Sequence, residues 1–446
     1  MLNIKISPQY YPEKSYIISI LFGEILGVDY KIDTDDDQIN YEITFEGKKI
    51  IIEDHFFKKF PDNLTYLSSS NIPESIVNCR NSFTVENDIP VIFGNDKLIF
   101  DKSNLLICGL DIFASAFFLL SRWEEYVSAD KDKFERFSAK ASLLSKNDLL
   151  HRPIVNEYVE MIWNILNYMG YTKSRRRSEY ELIATHDIDQ PIRLINLKML
   201  AKSVMKNILV FKNIFGATND FFIYGLNKFT PKYDVGNSYD FLIQCSNQIG
   251  IKSIFNFQNS KKTKYDWGYS NKSAFMQNIF NKIKTSGHFI GFHPSFYSYN
   301  NPDLWKSEYI GLCEATKTQV KMGRQHYLRF SNPETWQIWD DHNMEYDFTL
   351  GFPEKEGFRC GTCSSFSVFN ILTRKKLQLK ESPLILMDVT LMVYQKGISN
   401  DEFIKKMSDL ISTVKKYNGK FVLLWHNAIF DRKRYTHSFY KKLLTS

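Results

Sequence analysis

A chain of 446 residues is long enough for two or three domains. Its 43% hydrophobic and 24% charged residues are the balance of a globular protein and exclude a disordered chain. The net charge of +7 is spread thinly, with no basic block longer than Arg175-Arg176-Arg177, which argues against a nucleic-acid partner and stays compatible with an acidic glycan or a membrane surface.

Six cysteines, Cys79, Cys108, Cys245, Cys313, Cys360 and Cys363, are too sparse for a disulfide framework. Cys360-Gly-Thr-Cys363 lacks the second pair of a structural zinc site and reads as two reduced thiols in a loop. Aromatic residues, 15% of the chain, read as core packing ahead of sugar-stacking surface.

Residues 1–126 read as a smaller mixed α/β domain. A strand-like start is followed by an apolar helix over 17–26 and by alternating segments over 41–45, 49–52 and 90–93. Gly94-Asn95 suggests a hairpin connection, and a long apolar helix over 111–126 starts at Asp111 as N-cap. The apolar runs 17–28 and 112–120 are too short to span a bilayer, and no basic region precedes the first. The expectation is therefore a cytoplasmic protein without an integral membrane segment. Residues 127–178 are polar and helical in pattern and read as a connector ending in a basic segment over 173–177.

Residues 179–446 alternate strand-like runs (182–184, 252–257, 289–293, 327–330, 347–350, 384–387 and 422–425) with helical ones (272–284, 303–317 and 401–416). Such alternation predicts a parallel sheet with helices outside, and about seven strands favour an incomplete (β/α) barrel. Residues 194–234 form a long insertion after the first strand, with a Phe-Phe-Ile-Tyr run placed to lie over the site.

Chemistry-bearing side chains collect at the predicted strand ends, the rim where barrel enzymes build their sites. Pro294 stops a strand immediately after His293, leaving that imidazole at a strand end as a candidate metal ligand. Asp187 and Asp189 lie two apart and share a face, so one carboxylate can ligate a cation while the other accepts a proton; a D-x-D followed by Pro191 also suits a turn. Arg324 and His326 lie at the fourth strand, Arg359 follows the fifth, Asp388 ends the sixth, and Trp425-His426 ends the last. Trp336 and Trp339, three apart, form a helical stripe suited to a core.

These motifs resemble, in order, those of the NodB-homology polysaccharide deacetylases, carbohydrate esterase family 4. Gly287-His288-Phe289-Ile290-Gly291-Phe292-His293 is close to that family's G-H-E-I-G-x-H run, and Thr185-His186-Asp187-Ile188-Asp189 looks like a variant of its T-F-D-D-G motif. Phe358-Arg359-Cys360-Gly361 stands at the place of its arginine motif, and Leu386-Met387-Asp388 and Leu423-Leu424-Trp425-His426 resemble its last two motifs. The resemblance spans most of residues 180–430, and the region before it looks like the accessory domain that precedes some bacterial deacetylases of this kind.

The resemblance implies a metal-dependent hydrolase that removes N- or O-linked acetyl groups from an acetylated carbohydrate. It implies a divalent metal, commonly Zn²⁺, on Asp189 and His293, with Asp187 as general base and His426 as acid. Arg359 would hold the base carboxylate, Asp388 would orient His426, and Arg324, Tyr297 and Trp425 are substrate-binding candidates. Two departures stand out. The family's second histidine, four residues after the first, is Tyr297 here, and the first motif has gained a residue between its carboxylates. His326 is the candidate replacement ligand, with a substrate-binding role as its alternative. A glycan-binding module that has lost hydrolysis, or an amidohydrolase acting on another C–N bond, are the competing functions.

Overall fold

The computed structural model describes the chain apart from residues 62, 102, 103, 177, 195, 196, 211, 235, 396, 431–435 and 446, so Arg177 of the basic run lies outside the described residues. The first sheet comprises β1 (Leu2–Ile6), β2 (Tyr30–Thr34), β3 (Tyr41–Phe45) and β4 (Lys48–Ile52). After a separate two-stranded pair, β5 (Val77–Cys79) and β6 (Ile89–Val91), it is completed by β7 (Gly94–Asp101) and β8 (Leu105–Leu110). Its order is β2-β1-β3-β4-β8-β7. The buried–intermediate alternation of β1 and β3 is the period-2 pattern of a sheet covered on one face. Helices α1 (Tyr11–Ile18), α2 (Ile112–Ser121), α3 (Trp123–Val127), α4 (Leu143–Lys146) and α5 (Ile154–Tyr168) accompany this half.

Three readings of this half need correction. Gly94-Asn95 is no hairpin turn. Gly94, at φ 99°, begins β7 beside a register shift in the β7–β8 pairing, and a Cβ there would meet the Gly109 carbonyl. The helix expected over 111–126 breaks at Arg122, which adopts the left-handed conformation and turns its guanidinium inward to the Leu119 carbonyl and Glu125. Asp111 does cap α2, accepting from Ala114 N–H. Residues 127–178 are not a solvated connector, because α5 buries Ile154, Tyr158, Ile162 and Ile165 at helical spacing.

The second sheet has nine strands: β9 (Glu181–Ile188), β10 (Ile254–Phe257), β11 (Phe289–Phe292), β12 (Met322–Gly323), β13 (Tyr346–Asp347), β14 (Phe366–Asn370), β15 (Lys375–Glu381), β16 (Leu384–Met387) and β17 (Lys420–Leu424). Their order is β14-β15-β13-β12-β11-β10-β9-β17-β16, and every described pairing is parallel except the β14–β15 hairpin. The sheet curls into a half-barrel. Helices α6 (Leu197–Met205), α7 (Ile214–Asn227), α8 (Tyr239–Gln248), α9 (Ala274–Thr285), α10 (Pro302–Thr316), α11 (Glu334–Asp341), α12 (Asn400–Lys416) and α13 (His437–Thr445) follow its strands.

The count of seven strands missed the β14–β15 hairpin, although β15 alternates exposed and buried residues as a strand should. Residues 327–330 are not a strand, since Tyr327 and Leu328 both take positive φ; the strand lies earlier, as the two-residue β12. Trp336 and Trp339 are fully buried in the larger of two hydrophobic clusters among the described residues, which runs from Leu2 to Leu444 across both sheets; the smaller includes Ile183, Ile254 and Val422. Among the described residues no helix is long and apolar enough to cross a membrane.

Candidate active site

Parallel pairing in register brings the site together. Asp187 on β9 lies opposite Asn256 on β10, and Asn256 lies opposite Gly291 on β11. Gly291 is needed there: a Cβ would come within 1.9 Å of the Asn256 amide oxygen. Asn256 in turn donates to Asp187 Oδ1 at 2.7 Å. Gly291→Ala is therefore expected to push Asn256 off the carboxylate. Any hydrolytic rate should fall about tenfold or more, as expected when a positioned catalytic group shifts by a fraction of an ångström; an unchanged rate would show that this contact positions nothing.

His293 follows β11 and His326 lies in the turn after β12, so the two imidazoles come from neighbouring strand ends. His293 Nδ1 bonds the Arg324 carbonyl at 2.6 Å, and His326 Nδ1 bonds Asp266 Oδ1 at 2.8 Å. Both Nε2 atoms are thereby aimed at Asp189 Oδ1, at 3.2 and 3.4 Å. Ligand atoms of Asp189, His293 and His326 all lie within 4.8 Å of one another. Two imidazole nitrogens and a carboxylate oxygen, with both rings fixed from behind, form a donor set that fits a divalent metal such as zinc. Asp189 is 30% exposed and opens the group to the cleft.

Asp187 stands beside this group, its Oδ2 3.8 Å from His293 Nε2. Burial alone would raise its pKa, but Arg324 and then His293 hold it below the usual carboxylate range. Across the cleft, Asp388 grips His426 twice, accepting from its backbone N–H at 2.7 Å and pairing with its Nδ1 at 2.8 Å. Burial pulls the His426 pKa down, yet Asp388, and after it Asp189 and Asp187, push it up to about 10. The surrounding carboxylates thus favour the protonated ring.

The cleft, of about 240 Å³, is walled by Tyr265, Trp267, Tyr327 and Tyr394, with Arg136 at its side. Arg136 donates to the Tyr327 carbonyl at 2.9 Å and to Tyr394 Oη at 3.3 Å, so the first half of the chain contributes to the wall. None of these wall residues, nor Asp266 or Asn256, was singled out from sequence; Asn256 alone left a signal, as a polar residue inside an apolar strand. A larger cavity, of about 820 Å³, opens at the other end of the strands around Leu182, Lys252 and Tyr346. Its lining includes none of the clustered His and Asp residues, so the smaller cleft is the candidate site.

Three sequence expectations land elsewhere. Arg359 does not hold Asp187: it forms a two-pronged pair with Glu125 at 2.6 and 2.9 Å. Arg324 takes that place, donating to Asp187 Oδ1 at 2.9 Å, Thr185 Oγ1 at 2.8 Å and the Phe348 carbonyl at 2.8 Å. It is fully buried, which removes it as a substrate contact. Trp425 is also fully buried, packed on Phe430, Phe439 and Tyr440. Tyr297, 46% exposed, packs against Phe296 and against Tyr265 of the cleft wall. His186 and His288 serve the scaffold, bonding the Trp425 carbonyl and the Ser253 N–H. Cys360 and Cys363 are free thiols in the loop before β14, as expected, but they are buried, and burial pushes Cys363 up to about 12, leaving it unreactive.

Residues 2–170 match the model of a "Family of unknown function (DUF7033)", a stretch that runs through α5. No curated protein matches the chain. A solved structure described as "Crystal structure of putative polysaccharide deacetylase from Mycobacterium smegmatis" aligns over 61% of this chain and 85% of that one, at 12% identity and a TM-score of 0.39. A likeness at that level establishes no chemistry for this protein.

Proposed function

We propose that the chain is a metal-dependent hydrolase that removes acetyl groups from a carbohydrate. The observation that carries this reading is the convergence of His293 and His326 Nε2 on Asp189, with Asp187 alongside and the His426–Asp388 pair opposite. The ordered motif resemblance and the aromatic walls of the cleft, which offer flat faces to a sugar ring, supply the substrate class.

A divalent cation held by Asp189, His293 and His326 would supply Lewis-acid activation of water and of the acetyl carbonyl. Asp187 accepts the proton of the attacking water through Oδ2, because Oδ1 is occupied by Asn256 and Arg324. Those two donors also keep the carboxylate charged and fixed. His426, protonated and held by Asp388, donates its Nε2 proton to the departing amine or alcohol as the bond to the acetyl carbon breaks. The products are acetate and the free sugar amine or hydroxyl.

The test is acetate release from N-acetylated and O-acetylated oligosaccharides by the pure protein with zinc or cobalt. Release that chelation abolishes and added metal restores supports the reading. Tight glycan binding with no acetate under any metal would assign a binding module, and release of a different amine would assign another amidohydrolase.

A further inference from the structure

The insertion after β9 leaves much of its apolar surface on the outside. Its buried residues include Leu200, Ala217 and Ile223 beside Asp220, which bonds Ser203 Oγ at 2.6 Å, Asn207 Nδ2 at 2.7 Å and Arg193 at 3.2 Å. Many of its large apolar side chains nevertheless point outward. Phe215 is 89% and Phe229 90% exposed, with Leu197, Leu209, Ile214 and Phe222 also turned to the outside. Scattered exposed apolar residues are ordinary, but a concentration of this kind on one short segment marks a contact surface.

Charge says what it contacts. Residues 193–234 contain Lys198, Lys202, Lys206, Lys212, Lys228, Lys232 and Arg193 against Asp220 and Asp234, a net of 7 − 2 = +5 out of +7 for the chain. All six lysines are exposed, whereas both acids are buried. Asp234 is spent on Arg193 N–H, Leu194 N–H and Asn227, which clamps the two ends of the insertion together. Lys198, Lys202 and Lys206 recur every four residues, along one helical face. A second copy of this chain would set lysines against lysines, so self-association is disfavoured. Aromatic and aliphatic side chains among lysines suit the interface of an anionic bilayer. At 14 residues α7 is about 21 Å long, short of the roughly 30 Å hydrocarbon core, so it lies in the surface instead of spanning it.

We propose that the described residues of 197–234 form a basic, aromatic paddle that docks the protein on an anionic lipid surface. The paddle leaves the sheet at the rim that carries Asp187, Asp189 and His426. Asn427, next to His426, bonds the Gln190 and Gly236 carbonyls at its two roots. Docking there holds the mouth of the cleft at the membrane, where a lipid-borne substrate would reach it.

The test is co-sedimentation of the full chain with vesicles of phosphatidylcholine alone or mixed with phosphatidylglycerol. The wild type is expected to sediment only with the anionic vesicles and to be released by high salt. Replacing Lys198, Lys202 and Lys206 by Gln should weaken partitioning by about a hundredfold. A Phe215→Glu, Phe229→Glu double variant should lose it while keeping the wild-type circular dichroism and Tm, because neither side chain packs in the core. Failure of the wild type to bind, equal binding by these variants, or a dimer in light scattering that the phenylalanine changes dissociate would each overturn the proposal. None of these outcomes depends on the deacetylase reading.

Discussion

Asp187→Asn is expected to lower acetate release by about 10²- to 10⁴-fold, the usual contribution of a positioned general base, while leaving metal uptake intact. The prediction follows from the division of labour at the site. Asp189, His293 and His326 converge on one point, and Asp187 stands beside them with one oxygen fixed by Asn256 and Arg324. An asparagine keeps the shape and loses the proton acceptor. It also leaves the Arg324 guanidinium without its counter-charge, so the comparison is made on protein shown by its melting curve to be folded. Full activity in the folded variant would remove Asp187 from the mechanism.

Glu125→Gln is expected to cost about 3–5 kcal/mol of stability, the penalty for leaving buried charge uncompensated. Glu125 lies between two buried guanidiniums, Arg359 at 2.6 and 2.9 Å and Arg122 at 2.8 Å. This knot joins α3 to the loop before β14, so its loss loosens the attachment of the first sheet to the second. Burial alone would raise the Glu125 pKa, but Arg359 and then Arg122 hold it below the ordinary carboxylate range. A depressed folded pKa adds stability above the unfolded value, near 4.3, and that stability is lost as pH falls through the folded value. Denaturant titrations at neutral and acid pH should show a destabilised variant with a shallower acid decline. Wild-type stability in Glu125→Gln would mean that the knot contributes nothing.

The residues legible in the sequence were those whose position follows from local pattern. Asp187, Asp189, His293 and His426 each end an apolar run at a break, and strand ends on one rim meet whichever way the strands are ordered. What distance along the chain hides is which arginine crosses to Asp187. Arg359 had the expected place in the order of motifs, yet it is drawn to Glu125 of the first half, and Arg324, 137 residues beyond Asp187, reaches the carboxylate instead. Trp425 misled for another reason: adjacent strand residues face opposite sides, so a neighbour of His426 belongs to the core. The two-residue strands β12 and β13 are too short to show any periodicity, and their ladder is set by neighbours. The part played by Arg136 could not be read at all, because a polar segment looks like a linker until its partners are known.

The most direct test of the site is calorimetric titration of chelator-treated protein with zinc, alongside His293→Ala and His326→Ala. One tight site per chain in the wild type, lost or weakened by at least tenfold in both variants while Tyr297→Phe binds normally, is the predicted result. Zinc binding that survives His326→Ala unchanged, or no binding by the wild type, would contradict the assignment of Asp189, His293 and His326 as the metal centre.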